Sequence, residues 1–277
     1  PRYDDPVKAT SATPEENLGV ALGAVLVGKY RIDAILGQGG MGVVARATHL
    51  HLNETVAIKF LRADIAGDDE ANQRFLREAH AAWKLKNEHV ARVLDVGTLD
   101  SGLPYLVMEH LEGVDLDNML EQSHRIAPAL AVEFIVQACE GLAEAHALGI
   151  VHRDVKPSNF FVTWRSDGTP LVKLLDFGIS KVANSTDVSL TQTQSMLGTP
   201  AYMSPEQMRS ARTVDARTDV WSLGAVLFEL IEGVRPFEAE IFSEMCVKVA
   251  VDPPSPFSVP LPPGLVVATP NALTGGC

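Results

Sequence analysis

Apolar residues alternate with other positions through the first third of the chain and then shift to a helical period. Tyr30, Ile32, Ala34 and Leu36 share one face of a strand-like run. Val43-Val44-Ala45 follows a glycine cluster, and Val56-Ala57-Ile58-Lys59-Phe60 follows a turn over 51–54. A period of two in short runs broken by turn residues predicts an antiparallel meander. A helix is predicted over 69–86, where Phe75, Ala79, Ala82 and Leu85 recur three or four apart and Arg74 stands one turn before Glu78. Two more strand-like runs, 91–96 and 105–108, complete this portion.

After Gly113 the period lengthens. Leu130, Phe134, Ala138, Leu142 and Ala145 line one face of a helix predicted over 129–148, and residues 220–231 form a nearly unbroken apolar run of 12, the length of a helix buried in a globular core. The second portion is therefore mainly α, and the chain as a whole reads as α+β. Residues 252–277 break the pattern, because seven prolines and three glycines in 26 residues predict an irregular tail. No internal repeat is visible.

With 277 residues, 46% apolar and 21% charged, the chain can bury a substantial core in one domain or two lobes, which excludes a disordered tail. A net charge of −12 and a pI near 5.1 argue against a sequence-independent grip on nucleic-acid phosphate or anionic lipid. Cys139, Cys246 and Cys277 are far apart and form no CxxC pair, so neither a disulfide framework nor a zinc site is indicated and a reducing, cytoplasmic setting fits. No apolar run reaches the roughly 18 residues of a membrane span. Residues 18–27 lack a basic leader, so no signal peptide is expected. Pro1 in place of an initiating Met points to a fragment or a processed product, which leaves a membrane anchor outside these residues open.

Gly37-Gln38-Gly39-Gly40-Met41-Gly42 lies between two strands, which excludes the dinucleotide turn, where glycines open a helix. Two readings stay open for it: a hairpin folded over a phosphate chain with backbone N–H groups aimed at oxygens, or a plain glycine-rich turn. Seventeen residues beyond Gly42, Lys59 interrupts a strand of Val, Ala and Ile. It is either an edge residue with a solvated head or a buried cation with a partner, for which Glu78 is the candidate. His51, His80, His89 and His124 follow no ligand spacing and read as surface or core residues, and Cys139 beside Ala138 and Leu142 reads as a small core thiol. Asp219, at the head of the 220–231 run, reads as an N-cap.

His152-Arg153-Asp154-Val155-Lys156-Pro157-Ser158-Asn159, followed seventeen residues after Asn159 by Asp176-Phe177-Gly178, resembles the protein kinases. The resemblance runs in the family's order over roughly residues 27–250: glycine loop, Val56 to Lys59, Glu78, the 152–159 segment, Asp176 to Gly178, Ser204-Pro205-Glu206 and Asp219. The Gly-x-Gly-Gly-Met-Gly and Asp-Val-Lys-Pro-Ser-Asn forms look like bacterial Ser/Thr kinases of eukaryotic type. The resemblance implies a two-lobed protein-kinase-like fold with a lead-in at 1–26. An N-lobe of antiparallel sheet and one helix would cover 27–108, a mainly helical and incomplete C-lobe 109–250, and a Pro-rich tail 251–277.

The same resemblance implies ATP and Mg²⁺, or Mn²⁺, as cofactors. Leu36, Gly37, Gly39, Gly40 and Gly42 would cover the nucleotide. Val44 and Ala57 would sandwich the adenine, Glu109 to Leu111 would supply its backbone hydrogen bonds, and Met108 would stand at the gatekeeper position. Lys59, oriented by Glu78, would hold the α/β-phosphates. Asn159 and Asp176 would hold the metal, Asp154 would accept the substrate hydroxyl proton, and Lys156 would reach the γ-phosphate. Lys156, and Thr199 before Pro200, resemble Ser/Thr rather than tyrosine kinases, so protein Ser/Thr hydroxyls are the implied acceptors. The polar run 184–195 looks like an activation loop. Thr191 and Thr193 are its expected autophosphorylation sites, in trans within a homodimer, and a phosphate of about −2 charge there could pair with Arg153. His152 would pack as a structural residue, and Asp219 would also anchor the backbone of the 152–159 segment.

The sequence departs from the family at its end. The family buries Glu206 against an Arg late in the C-lobe, but here no Arg follows Arg235 and Lys248 is the only basic residue beyond it. A curtailed C-lobe with an unpartnered buried carboxylate, costing several kcal/mol, is the expectation. It motivates an alternative, a catalytically impaired nucleotide-binding pseudokinase or scaffold. A small-molecule phosphotransferase would share the Asp/Asn/Asp logic but would not need the 191–206 segment. Ser204 replaces the family's usual Ala, a small change expected to be tolerated.

Overall fold

The computed structural model describes residues 20–38, 42–62, 67–177, 199–210 and 214–261. The chain divides into two compact units, one of residues 1–79 with 93–110 and one of residues 80–92 with 111–277.

The first unit is a six-stranded antiparallel sheet. Its strands are β1 (Val25–Leu26), β2 (Tyr30–Gln38), β3 (Gly42–His49), β4 (Glu54–Leu61), β5 (Val93–Thr98) and β6 (Pro104–Glu109), in the spatial order β1-β2-β3-β4-β6-β5. The predicted turn is closed by Asn53, whose N–H donates to His49 O at 2.8 Å; its φ of 53° suits a residue that tolerates the left-handed region. The predicted alternation in β2 holds for Tyr30 and Ile32, both buried, and then fails. Register shifts between Ile32 and Ala34 and between Ile35 and Gly37 insert bulges, so Leu36 is exposed instead of sharing the buried face. Side chains alternate along a strand, so the wholly buried Val43, Ala45, Ala47, Ile58, Phe60 and Val107 make one face of the sheet. Helix α1 (Asp69–Lys84) buries Ala71, Phe75 and Ala79 along one stripe, and Arg74 reaches back to Glu70 at 3.5 Å.

In the second unit a small sheet of β7 (Val114–Asp115), β8 (Phe160–Trp164) and β9 (Pro170–Leu174) accompanies helices α2 (Leu116–Ser123), α3 (Pro128–Ala147), α4 (Pro205–Arg209), α5 (Arg217–Glu232) and α6 (Phe242–Val251). Phe134, Ala138, Leu142 and Ala145 of α3 enter one core with Leu174 of β9 and Trp221, Val226 and Leu230 of α5. Each large side chain so buried contributes about 1.5–3 kcal/mol. The predicted apolar run lies inside α5, which is buried nearly all round and stops at Gly233; there a φ of 75° lets the N–H close on Glu229 O at 2.8 Å. Cys139 corrects the sequence reading: it sits on the outer face of α3 and is exposed, because the buried stripe passes through Ala138 and Leu142.

Residues 252–261 form neither helix nor strand, yet they are pinned. Glu232 accepts Ser258 N–H at 2.8 Å, Ser258 Oγ–H at 2.6 Å and Val259 N–H at 3.1 Å, while the Phe257 ring lies 4.7 Å from that of Phe228. Among the described residues no helix is long and apolar enough to cross a membrane.

Candidate functional site

In the first unit the residues singled out around the glycine cluster share one side of the sheet. Val44 stands opposite Lys59, which stands opposite Leu106, and Ala57 stands opposite Met108; Gly37 pairs with Val44. Directly opposed residues point the same way, so Gly37, Val44, Ala57, Lys59 and Met108 form one patch, on the face away from the Ile58 and Phe60 core. Ala57 is buried and Val44, Lys59, Met108 and Glu109 are half-buried, which suits a surface shaped to receive something flat and apolar beside something anionic. Gly42 is fixed by close packing, since a Cβ there would lie 2.5 Å from Phe60 O. Glu78 lies half-buried on α1 within the same unit. Gly39, Gly40, Thr191 and Thr193 lie outside the described residues.

In the second unit the 152–159 segment is held in a tight irregular loop. Asp154 is met by Lys156 Nζ at 3.0 Å, and the buried Asn159 donates Nδ2–H to Asp154 O at 2.7 Å and to Asp154 Oδ2 at 3.3 Å. A carbonyl can only accept, so the Asn159 amide nitrogen faces Asp154 and its Oδ1 is turned to the other side. Leu175 N–H donates to Asn159 O at 2.9 Å, and this bond joins the residue before Asp176 to the last residue of the loop. Asp176 adopts a φ of 47°, an uncommon conformation for a non-glycine residue and one found at functional sites. Leu111 lies half-buried at the start of this unit.

His152 is wholly buried. Its Nδ1 accepts Asp154 N–H at 3.3 Å, its Nε2–H donates to Leu175 O at 2.9 Å, and its ring lies 4.5 Å from that of Phe177. One nitrogen accepts and the other donates, so the neutral imidazole serves as a brace, as predicted. Asp219 corrects the N-cap reading. It lies in the first turn of α5, past the N-cap position, wholly buried, and its oxygens accept Arg153 N–H and His152 N–H, each at 2.8 Å, and His146 Nε2 at 2.7 Å. The anchor role holds instead. Glu206 corrects a second expectation: it is exposed on α4, so no buried carboxylate lacks a partner there. The ion pair nearest in kind is Glu229 with Arg235 at 3.4 Å, with Tyr202 OH donating to Glu229 at 2.5 Å. Burial pushes the Glu229 carboxyl and the Tyr202 hydroxyl up.

Burial lowers the pKa of the Arg153 guanidinium, against the opposing pull of Asp219, and its buried Nε has no hydrogen-bond partner among the described residues. Sequence reasoning missed His146, Gln207 and Glu144. His146 stands in an Ala-rich helix where a polar residue on the buried side was the available signal. Glu144 takes the N–H groups of Lys86 and Asn87 at 2.8–2.9 Å, and nothing in its sequence context announces that contact.

The arrangement offers a carboxylate flanked by an ammonium, two hard-oxygen donors joined through a backbone hydrogen bond, and a separate sheet face with a lysine among apolar neighbours. Asn159 and Asp176 fit Mg²⁺, which is commonly held by one or two protein oxygens together with substrate phosphates. No group of three or more His, Cys, Asp or Glu side chains able to hold a metal occurs among the described residues.

A profile of the protein kinase domain matches residues 30–258. The serine/threonine-protein kinase PknB of Mycolicibacterium smegmatis is 44% identical over 212 residues, covering 76% of this chain and 33% of that protein. The serine/threonine-protein kinase pkn3 of Myxococcus xanthus is 38% identical over 237 residues, covering 85% of this chain and 43% of that protein. The crystal structure of the Mycobacterium tuberculosis PknI kinase domain superposes with a TM-score of 0.62 at 28% identity, covering 79% of this chain and 80% of that one. The chain thus spans less than half the length of these curated relatives.

Proposed function

The chain belongs to the protein kinase family, and we propose that it transfers the γ-phosphoryl group of ATP to Ser and Thr hydroxyls of proteins. The observation that carries this reading is the Asp154–Lys156–Asn159 cluster, in which a carboxylate is held by a cation at 3.0 Å and by an amide. Phosphoryl transfer spreads charge over oxygens in a loose transition state, so positioning and charge neutralisation do most of the work.

In this reading Gly37, Val44, Ala57 and Met108 receive the nucleotide's base and sugar face, and Lys59 neutralises its phosphates with Glu78 as orienting partner. Gly39, Gly40, Gly42, Leu36, Glu109 and Leu111 complete the nucleotide contacts. Asp154 accepts the proton of the attacking hydroxyl as the new O–P bond forms and the bond to the β-phosphate oxygen breaks, releasing ADP. Lys156, paired with Asp154, keeps a positive charge beside the forming bond. Asn159 and Asp176 would hold Mg²⁺, or Mn²⁺, which supplies charge neutralisation at the phosphates. Thr191 and Thr193 receive phosphate in trans from a second copy, and the Nε of Arg153, which has no hydrogen-bond partner among the described residues, supports a role for that guanidinium in binding the phosphate they carry. A cytoplasmic setting completes the proposal.

Transfer of label from γ-labelled ATP to casein, dependent on added Mg²⁺ and abolished by EDTA, tests it. Nucleotide binding without transfer at any divalent-ion concentration would favour the scaffold alternative.

A further inference from the structure

In the second unit a ring of hydrogen bonds ends on the backbone carbonyl of Arg153. Gln207, buried in α4, donates Nε2–H to Arg153 O at 2.8 Å. The carbonyl can only accept, so the amide nitrogen faces it and Oε1 faces Thr218, whose hydroxyl donates to it at 3.1 Å. Thr218 has no second proton. The 2.6 Å contact between the Ser204 and Thr218 hydroxyls therefore runs from Ser204 to Thr218. Ser204 Oγ in turn accepts the backbone N–H of Gln207 at 3.2 Å, which closes the ring. Ser204 and Thr218 are wholly buried and Gln207 nearly so, so the protein alone sets the direction of every bond in it.

The carbonyl at the end of this ring belongs to the peptide plane that carries Asp154. The other polar atom of that plane, the Asp154 N–H, donates to His152 Nδ1 at 3.3 Å. Arg153 has a φ of 63°, a left-handed conformation that is strained for a residue carrying a side chain. It persists because Asp219 holds its N–H at 2.8 Å and Gln207 holds its C=O at 2.8 Å. Releasing the carbonyl removes one of the two clamps on a conformation that the residue would leave if free, and a rotation of that plane turns Asp154 with it.

We propose that Gln207 is a positioning residue for phosphoryl transfer. Through the Arg153 carbonyl it locks the plane that aims Asp154, and Ser204 and Thr218 hold its amide in the donating orientation. Ser204, where the family usually has Ala, is thereby part of the device, since an Ala could not donate to Thr218. The inference rests on Asp154 being the proton acceptor.

The test is steady-state transfer from ATP to casein by the full chain and its Gln207→Met, Gln207→Glu and Asp154→Asn variants, from pH 6 to pH 8. Gln207→Met is expected to lower kcat by about 10- to 100-fold with the KM for ATP unchanged. Gln207→Glu is expected to be as slow at pH 8 and to recover toward pH 6, because a buried carboxyl protonates near neutrality and can then donate to the Arg153 carbonyl; the parent shows no such recovery. A parental kcat in Gln207→Met, or a Gln207→Glu profile parallel to the parent's, overturns the proposal. Should Gln207→Met fail to fold in a melting scan, the acid recovery of Gln207→Glu decides. Transfer by Asp154→Asn equal to the parent's overturns the assignment beneath the proposal, whereas an Asp154→Asn slowed by at least about 1,000-fold beside a fully active Gln207→Met overturns the positioning role alone.

Discussion

Asp219 accepts the backbone N–H of Arg153 at 2.8 Å with a carboxylate that is wholly buried. Its second oxygen takes the N–H of His152 at 2.8 Å and faces His146 at 2.7 Å, so one carboxylate in the first turn of α5 serves three partners. Asp219→Asn puts an amide NH₂ against one of these N–H groups. The expected result is a loss of about 1–3 kcal/mol in urea unfolding, together with a fall in kcat because the loop that carries Asp154 loosens. Unchanged unfolding would contradict the anchor role.

Glu232 gives a pH-dependent handle on residues 255–261. Burial alone would push its carboxyl up, but the hydrogen bonds from Ser258 and Val259 outweigh this and hold it below the usual carboxylate range. A depressed folded-state pKa contributes stability that is present above the unfolded value of about 4.3 and lost as pH falls through the folded one. Glu232→Gln, which cannot accept all three bonds, is expected to lower the unfolding free energy by about 1 kcal/mol at pH 7. The gap to the parent should narrow below about pH 4. Urea unfolding of both proteins across that range checks the sign, and a gap that widens in acid counts against it.

Gly42→Ala tests the close approach of β3 to β4. The added Cβ would meet Phe60 O at 2.5 Å, a backbone atom that cannot swing aside. A destabilisation of about 1–3 kcal/mol is expected, read as a lower Tm. A Tm equal to the parent's would show that the strands can part at that point without cost.

The phosphothreonine proposal predicts that mass spectrometry of the chain after incubation with Mg·ATP finds phosphate on Thr191, Thr193 or both. It further predicts that Thr191→Ala/Thr193→Ala transfers to casein at a reduced rate. Phosphate confined to other residues would redirect the search for what Arg153 receives.

The sheet, the helix after it and the two long helices of the second unit were legible because their apolar residues keep a period of two or of 3.6 over many positions. The bulges in β2 were not, since a register shift is decided by pairing with β3 and leaves the local pattern of Ala34 and Leu36 intact. The resemblance to the protein kinases singled out Asp154, Asn159 and Asp176, and the structure brings the first two into hydrogen bonding. Asp219 looked like a cap because local sequence cannot reveal that His152 and Arg153, 67 and 66 residues earlier, turn their N–H groups toward it. Gln207 escaped notice for the same reason: an amide beside a Pro-Glu pair carries no local sign that Arg153 lies within its reach.

The central claim is that Asp154 takes the proton of a protein hydroxyl while ATP gives up its γ-phosphate. The most direct measurement is label incorporation from γ-labelled Mg·ATP into casein by the parent and by Asp154→Asn, with nucleotide affinity measured on both. Label transfer by the parent, lost by at least about 1,000-fold in Asp154→Asn at unchanged ATP affinity, is the expected result. Equal transfer by the two proteins, or none by a parent that binds Mg·ATP, would contradict it.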